Sequence, residues 1–213
     1  MTKIDRDFER SQQLYALKSM CFTDSGLYNW TFENDNGKNP NMSRAKCYVD
    51  RWNKMRSENI GLLLWGDVGT GKSYFAACIA NALIEQGVSV RMTNFSAILN
   101  DLFSCDDKNE YIYKLNESCL LIIDDLGIER DTEYALEQVY NIIDARYKSN
   151  KPLIVTTNLS LTELKNPVDT AHKRIYDRVL EMCVPIRFNG ENIRCEKAKR
   201  KMDTAKRLFD TEV

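Results

Sequence analysis

The chain has 213 residues, 43% of them hydrophobic, with 30 Lys and Arg against 31 Asp and Glu. That apolar content can bury the core of one large domain, and the near-neutral balance leaves no nucleic-acid signal in the global charge. Seven cysteines, at 21, 47, 78, 105, 119, 183 and 195, form no Cys-x-x-Cys pair, and His172 is the single histidine. This spacing argues against zinc, and a scattered odd set fits reduced thiols in a cytoplasmic protein. No apolar amino-terminal segment resembles a signal peptide, and no run approaches the ~20 residues that span a bilayer, so no membrane association is expected.

Residues 1 to 40 are polar, with Trp30 and Phe32 standing out, and read as an N-terminal arm. The two aromatics are more simply packing residues than the lining of a base site. The stretch DNGKNPN, 35 to 41, has turn chemistry throughout, and its proline stops any helix. From Ser43 to Ser57, Ala45, Val49, Trp52 and Met55 recur at helical spacing. The chain then alternates. Apolar strand-like runs at 61 to 65, 88 to 92, 119 to 124, 152 to 157 and 184 to 188 are separated by helix-like stretches at 72 to 86, 95 to 103, 132 to 148 and 171 to 182. Such alternation predicts an α/β core, residues 41 to 190, around a mainly parallel sheet. The tail, 191 to 213, reads as a basic helix: residues 191 to 207 hold seven Lys or Arg against three acids, with Ala198, Met202, Ala205 and Phe209 roughly along one face.

Four stretches carry chemistry. Gly66, Asp67, Val68, Gly69, Thr70, Gly71, Lys72 and Ser73 satisfy G-x-x-x-x-G-K-[ST], between a strand-like run and a helix that Tyr74 continues. The glycines let backbone N–H groups wrap phosphates, Lys72 offers a point charge to the terminal phosphates, and Ser73 offers its hydroxyl to Mg²⁺. The following helix aims its positive end at the same anion. In LLIIDDLGIE, 120 to 129, an apolar strand ends in acid. Asp124 is suited to hold Mg²⁺, and Asp125 to orient or deprotonate an attacking water. Asn158 follows the strand PLIVTT, where its amide could meet the γ-phosphate, although Thr-Asn-Leu-Ser is also ordinary turn chemistry. Arg174 and Arg178, four apart in KRIYDRVLEMC, share a helical face. They are candidates to reach a neighbouring subunit's ATP or, flanking Asp177, to make only surface ion pairs.

GDVGTGKS, LLIIDDLGIE, IVTTNLS and RIYDRVLEMC, in this order and at these distances, resemble the DnaC/DnaI-type (IstB-like) helicase loaders of the AAA+ class over roughly residues 28 to 196. The resemblance implies an AAA+ core with a parallel sheet in the order 5-1-4-3-2 and no full lid domain. It implies slow, assembly- or DNA-stimulated ATP hydrolysis that governs loading of a hexameric replicative helicase onto single-stranded DNA, with self-association through the ATP interface. Asn158 would be the first sensor, Arg178 the trans-acting finger with Arg174 its neighbour, and Arg194 a second sensor. Residues 95 to 117 would hold a loader-specific helical insertion near the DNA path. Loaders of this type usually carry a separate N-terminal helicase-binding domain, often with metal-binding cysteines. Here about forty residues precede the core without a cysteine cluster, so the chain is either a core fragment or docks by another surface. Three other readings stand beside the loader: an ATP-dependent transposition helper that binds duplex DNA, a nucleotide-gated interaction module with negligible hydrolysis, and, more weakly, a small-molecule kinase.

Overall fold

A computed structural model describes residues 3–127, 132–190 and 192–210. Ile128 and Glu129 of the acidic stretch, and Glu191 at the start of the tail, lie outside the described residues. Five strands build one sheet: β1 (Gly61–Gly66), β2 (Val90–Asn94), β3 (Leu120–Leu126), β4 (Leu153–Thr157) and β5 (Cys183–Phe188). Their order is β2-β3-β4-β1-β5 with every pairing parallel, which is the order 5-1-4-3-2 read from the other edge. The inner strands are apolar on both faces because both are covered. One apolar cluster gathers Leu62, Leu64, Ile122 and Ile154 under the helices of one face. A second gathers Leu63, Leu121, Ile123 and Val155 under those of the other.

The helix after the glycine loop, α4 (Lys72–Glu85), is buried through most of its length, with Phe75, Ala76, Ile79 and Leu83 inaccessible to solvent. The helical run expected at 43 to 57 is two helices, α2 (Met42–Asp50) and α3 (Trp52–Ser57), with Arg51 between them out of helical geometry (φ −106°, ψ 21°). No glycine or proline marks that break, and Tyr48 and Trp52 are buried on either side of it. The polar amino-terminal stretch forms α1 (Lys3–Cys21), a helix its composition did not announce. Its last turn anchors it. Cys21 and Phe22 are buried in the first cluster, Phe22 bridges Met92 at the β2 edge, and Lys18 Nζ donates to the Tyr28 carbonyl. Residues 95 to 117 form two helices, α5 (Phe95–Ser104) and α6 (Lys108–Glu117), capped by the side chains of Asn94 and Asp107.

Helix α7 (Glu133–Lys148) carries a guanidinium that sequence patterning could not place. Arg146 is fully buried and faces no carboxylate among its hydrogen-bond partners. It donates instead to the carbonyls of Asn116, Ser118, Cys119 and Pro152, tying the end of α6 to the starts of β3 and β4. Burial pulls its pKa down to about 10, so it stays charged at neutral pH. Arg146→Met fills similar volume but removes this donor from all four carbonyls. Asn116 keeps Lys151 Nζ and Pro152 keeps the Leu121 N–H, so the main loss falls on Ser118 and Cys119, at about 1–3 kcal/mol for each carbonyl left unpaired. A urea melt should show a loss of about 2 kcal/mol or more. A loss under ~1 kcal/mol would mean that water replaces the guanidinium.

Candidate functional site: a phosphate loop facing paired acids

The loop from β1 to α4 is shaped by two glycines. Gly71 caps α4 with a left-handed backbone (φ 94°), and a Cβ on Gly66 (φ 130°) would run into the Phe188 carbonyl oxygen of β5. Lys72 is only 5% exposed although it is charged. Its Nζ donates to the carbonyls of Gly66 and Asp67 and to Asn158 Oδ1, each at 2.8 Å, so the lysine that should meet phosphate lies folded back on its own loop. Burial holds its pKa below the usual lysine value, while Asp125, Asp124 and Asp67 oppose that shift. The interaction with Asn158 joins the loop to the end of β4.

The acids come from β3. Asp124 Oδ1 accepts from Ser73 Oγ at 2.9 Å and from Thr156 Oγ1 at 2.6 Å. Asp125 stands at φ 60°, where the ladder to β4 shifts register between Ile123 and Leu126. Left-handed backbone is tolerated by Asp and Asn better than by most side chains, which gives a local reason for Asp rather than Glu at 125. Burial, then the neighbouring Asp124, raises the Asp125 pKa above the usual carboxylate value, with Lys72 and Arg194 pulling it back. The donor set is all oxygen, as Mg²⁺ requires. Because the Ser73 proton points to Asp124, the serine oxygen keeps lone pairs for a cation.

Lys72, Ser73, Asp125 and Asn158 border a cleft of about 460 Å³, a size that suits a nucleotide, while Asp124 stands behind Ser73 without lining it. Val68, Gly69, Gly71, Lys72, Ser73 and Tyr74 line it from the loop, with Asp125 and Asn158 at the strand ends and Arg194 at the start of α10 (Ile193–Asp210). Gly66, Asp67 and Thr70 complete the loop without lining this cleft. Two walls come from residues that the sequence reading gave to packing and to a turn. Trp30, packed on the Tyr74 ring at 5.6 Å, lines the cleft, and so do Asn34 and, from the stretch read only as a turn, Asp35, Asn36 and Asn39. Aromatic residues followed by a run of Asn and Asp were the available signal, and turn chemistry concealed it. Ile193 lines the cleft too, and its N–H donates to the Gly69 carbonyl at 3.0 Å, fastening the basic helix to the phosphate loop.

Arg174 and Arg178 stand elsewhere, on α9 (Thr170–Met182), which follows the short helix α8 (Leu161–Lys165). Arg178 is committed within its own chain, though not to Asp177. Its Nε donates to Asp144 Oδ1 of α7 at 2.9 Å, its Nη2 to the Tyr140 hydroxyl, and its guanidinium lies 4.9 Å from the Tyr140 ring centroid. Lys148 shares Asp144, and its hydrogen bond, with Arg178 behind it, holds that carboxyl below the usual range. Arg174 is exposed, with no ion pair among the described residues.

Comparison with known proteins agrees with this geometry. A family profile described as IstB-like ATP binding protein matches residues 3–202. The replicative helicase loader DnaI of Bacillus subtilis (strain 168) is 25% identical over 207 residues, covering 90% of this chain and 67% of that protein. The replicative helicase loader DnaC of Escherichia coli (strain K12) is 28% identical over 199 residues, covering 90% and 76% respectively. A crystal structure of DnaI, 22% identical, superposes with a TM-score of 0.68 over 83% of this chain and 98% of that one, a likeness of fold. The motif resemblance and the expected sheet order are thus both borne out. This chain, built on the AAA+ phosphate-loop fold, belongs to the family of IstB-like ATP binding proteins.

Proposed function

We propose that this chain is a slow, cytoplasmic ATPase, stimulated by assembly or DNA, that assists loading of a hexameric replicative helicase onto single-stranded DNA. The observation that supports hydrolysis is the convergence of Lys72, Ser73, Asp125 and Asn158 on one cleft, with Asp124 bonded to Ser73 behind it. The similarity to two replicative helicase loaders supports the process. In this reading the loop N–H groups and the α4 terminus take the phosphates, and Lys72 exchanges its loop carbonyls for the terminal phosphate oxygens. Ser73 and Asp124 would hold Mg²⁺, which would supply positive charge against the phosphates when bound. Asp125 receives the proton of the attacking water, Asn158 meets the γ-phosphate once Lys72 has moved, and Arg194 senses the nucleotide from α10.

Copies would associate through the ATP interface, with Arg178, next to Arg174, acting on a neighbour's phosphates after leaving Asp144. Arg178→Ala should then lower the hydrolysis that rises with protein concentration by ~10³-fold or more while leaving ATP affinity nearly intact. An equal loss in dilute monomer would assign the effect to the α7–α9 contact instead. The basic helix α10 and the insertion at 95 to 117 lie along the DNA path.

Anisotropy of labelled single-stranded and duplex DNA, with and without ATP and Mg²⁺, tests the process. The expected result is an ATP-dependent preference for single strands, weakened by salt as phosphate contacts are. Preference for duplex would move the reading to a transposition helper, and binding to neither would remove DNA from the mechanism.

A further inference from the structure

In a regular strand, neighbouring side chains point to opposite faces, so adjacent acids cannot both serve one site. Yet Asp124 reaches Ser73 and Asp125 lines the cleft. The register shift in β3 reconciles the two: the left-handed residue at 125 re-aims its side chain, as a bulge does. Such a bulge frees main-chain groups that the ladder would have paired, and a buried N–H needs another partner. Thr156 on β4 meets that need. Its hydroxyl accepts from the Asp125 N–H at 2.9 Å and donates to Asp124 Oδ1 at 2.6 Å, using both capacities of one oxygen on both acids. Thr156 is fully buried, and neither an apolar side chain nor water-mediated exchange at the surface can stand in for it. Its neighbour Thr157 serves the other side of the bulge, donating to the Leu126 carbonyl at 2.7 Å.

We propose that Thr156 is a positioning residue for ATP hydrolysis: its single hydroxyl orients the Asp124 carboxylate toward the cation position and holds the Asp125 backbone in the turn that aims its carboxylate at the cleft. The inference rests on the ATPase reading above. It assigns a role to a residue that the strand pattern reads only as core. Neither interaction involves the loop N–H groups or Lys72, so Thr156 acts on the rate more than on the capture of ATP.

The test compares Thr156→Val, which keeps the shape and loses the hydroxyl, with Thr156→Ser, which keeps the hydroxyl, in the full chain. Thermal melts confirm that both are folded. Thr156→Val should lower kcat about 10- to 100-fold, as loss of a hydrogen bond to a charged group does, with KM for ATP within about threefold. Thr156→Ser should recover kcat to within a few-fold. A second readout needs no activity: the Asp125 amide should exchange its hydrogen faster in Thr156→Val than in the parent and Thr156→Ser proteins. Unchanged kcat in folded Thr156→Val, equal losses in Val and Ser, or an unaltered Asp125 amide would each overturn the inference while the ATPase reading stands. If the parent chain hydrolyses no ATP above Lys72→Ala, the ATPase reading itself falls and takes the inference with it.

Discussion

Lys72→Ala is expected to lower ATP affinity by ~10²-fold or more, since each hydrogen bond to a charged group is worth about 1.5–3 kcal/mol. The fold should survive. Lys72 is buried, and its cation is held at a desolvation cost that pulls its pKa down, so removing it does not take away a net stabiliser. The two properties separate in one thermal-shift series. ATP at a hundred times its dissociation constant stabilises a protein by about 2.7 kcal/mol, or roughly 5 to 11 °C at this size. The parent chain should show that shift and Lys72→Ala should not, while their melting temperatures without nucleotide stay within a few degrees. A full ATP shift in the variant would remove the phosphate-loop assignment. A collapse of the apo melt would show instead that the bonds to Gly66, Asp67 and Asn158 hold the loop together.

The second large effect belongs to Asp125. Asn is the informative replacement because it keeps the tolerance for left-handed backbone at φ 60° and loses only the ability to take a proton. Single-turnover hydrolysis should fall ~10²–10⁴-fold, the usual range for a general base, while ATP affinity is kept or slightly improved. If neither protein hydrolyses ATP measurably, the chain is a nucleotide-gated interaction module. The pH profile gives an independent check. The folded pKa of Asp125 is raised, so its carboxylate takes a proton as pH falls through that raised value and can no longer accept one from water. The acid limb of kcat/KM should therefore lie above the ordinary carboxylate value near 3.8 and disappear in Asp125→Asn. Stability runs the other way. A raised carboxylate pKa means that ionisation disfavours the folded state above the unfolded pKa, so the apo Asn variant should melt slightly higher than the parent at neutral pH.

Much of this molecule was legible before its coordinates. The glycine loop could be read because the chemistry of gripping phosphate demands fixed residue types over eight consecutive positions. The parallel sheet could be read because strands buried on both faces must be continuously apolar. Helix α1 was hidden because its packed face is thin, Leu14 and Cys21 with Lys18 between them, and Phe22 just beyond its end completes the docking. Arg146 was hidden because four carbonyls, which no sequence pattern encodes, take the place of a carboxylate. The aromatic and asparagine wall was hidden because Trp30, Asn34 and Asn39 look like packing and turn residues until the arm folds against Tyr74.

The division follows from the range of the interactions. Local covalent geometry and short-range periodicity determined where the glycine loop and the paired acids lie and that the core is α/β, all of which the sequence carries in contiguous stretches. Only the tertiary structure decided how distant elements meet: that Thr156 of β4 holds both acids of β3, that Asn158 holds Lys72 at 2.8 Å, and that Arg178 rests on Asp144 rather than Asp177. Each of those contacts joins residues more than thirty positions apart through a single hydrogen bond, and such a bond leaves no period, spacing or composition in the chain from which it could have been read.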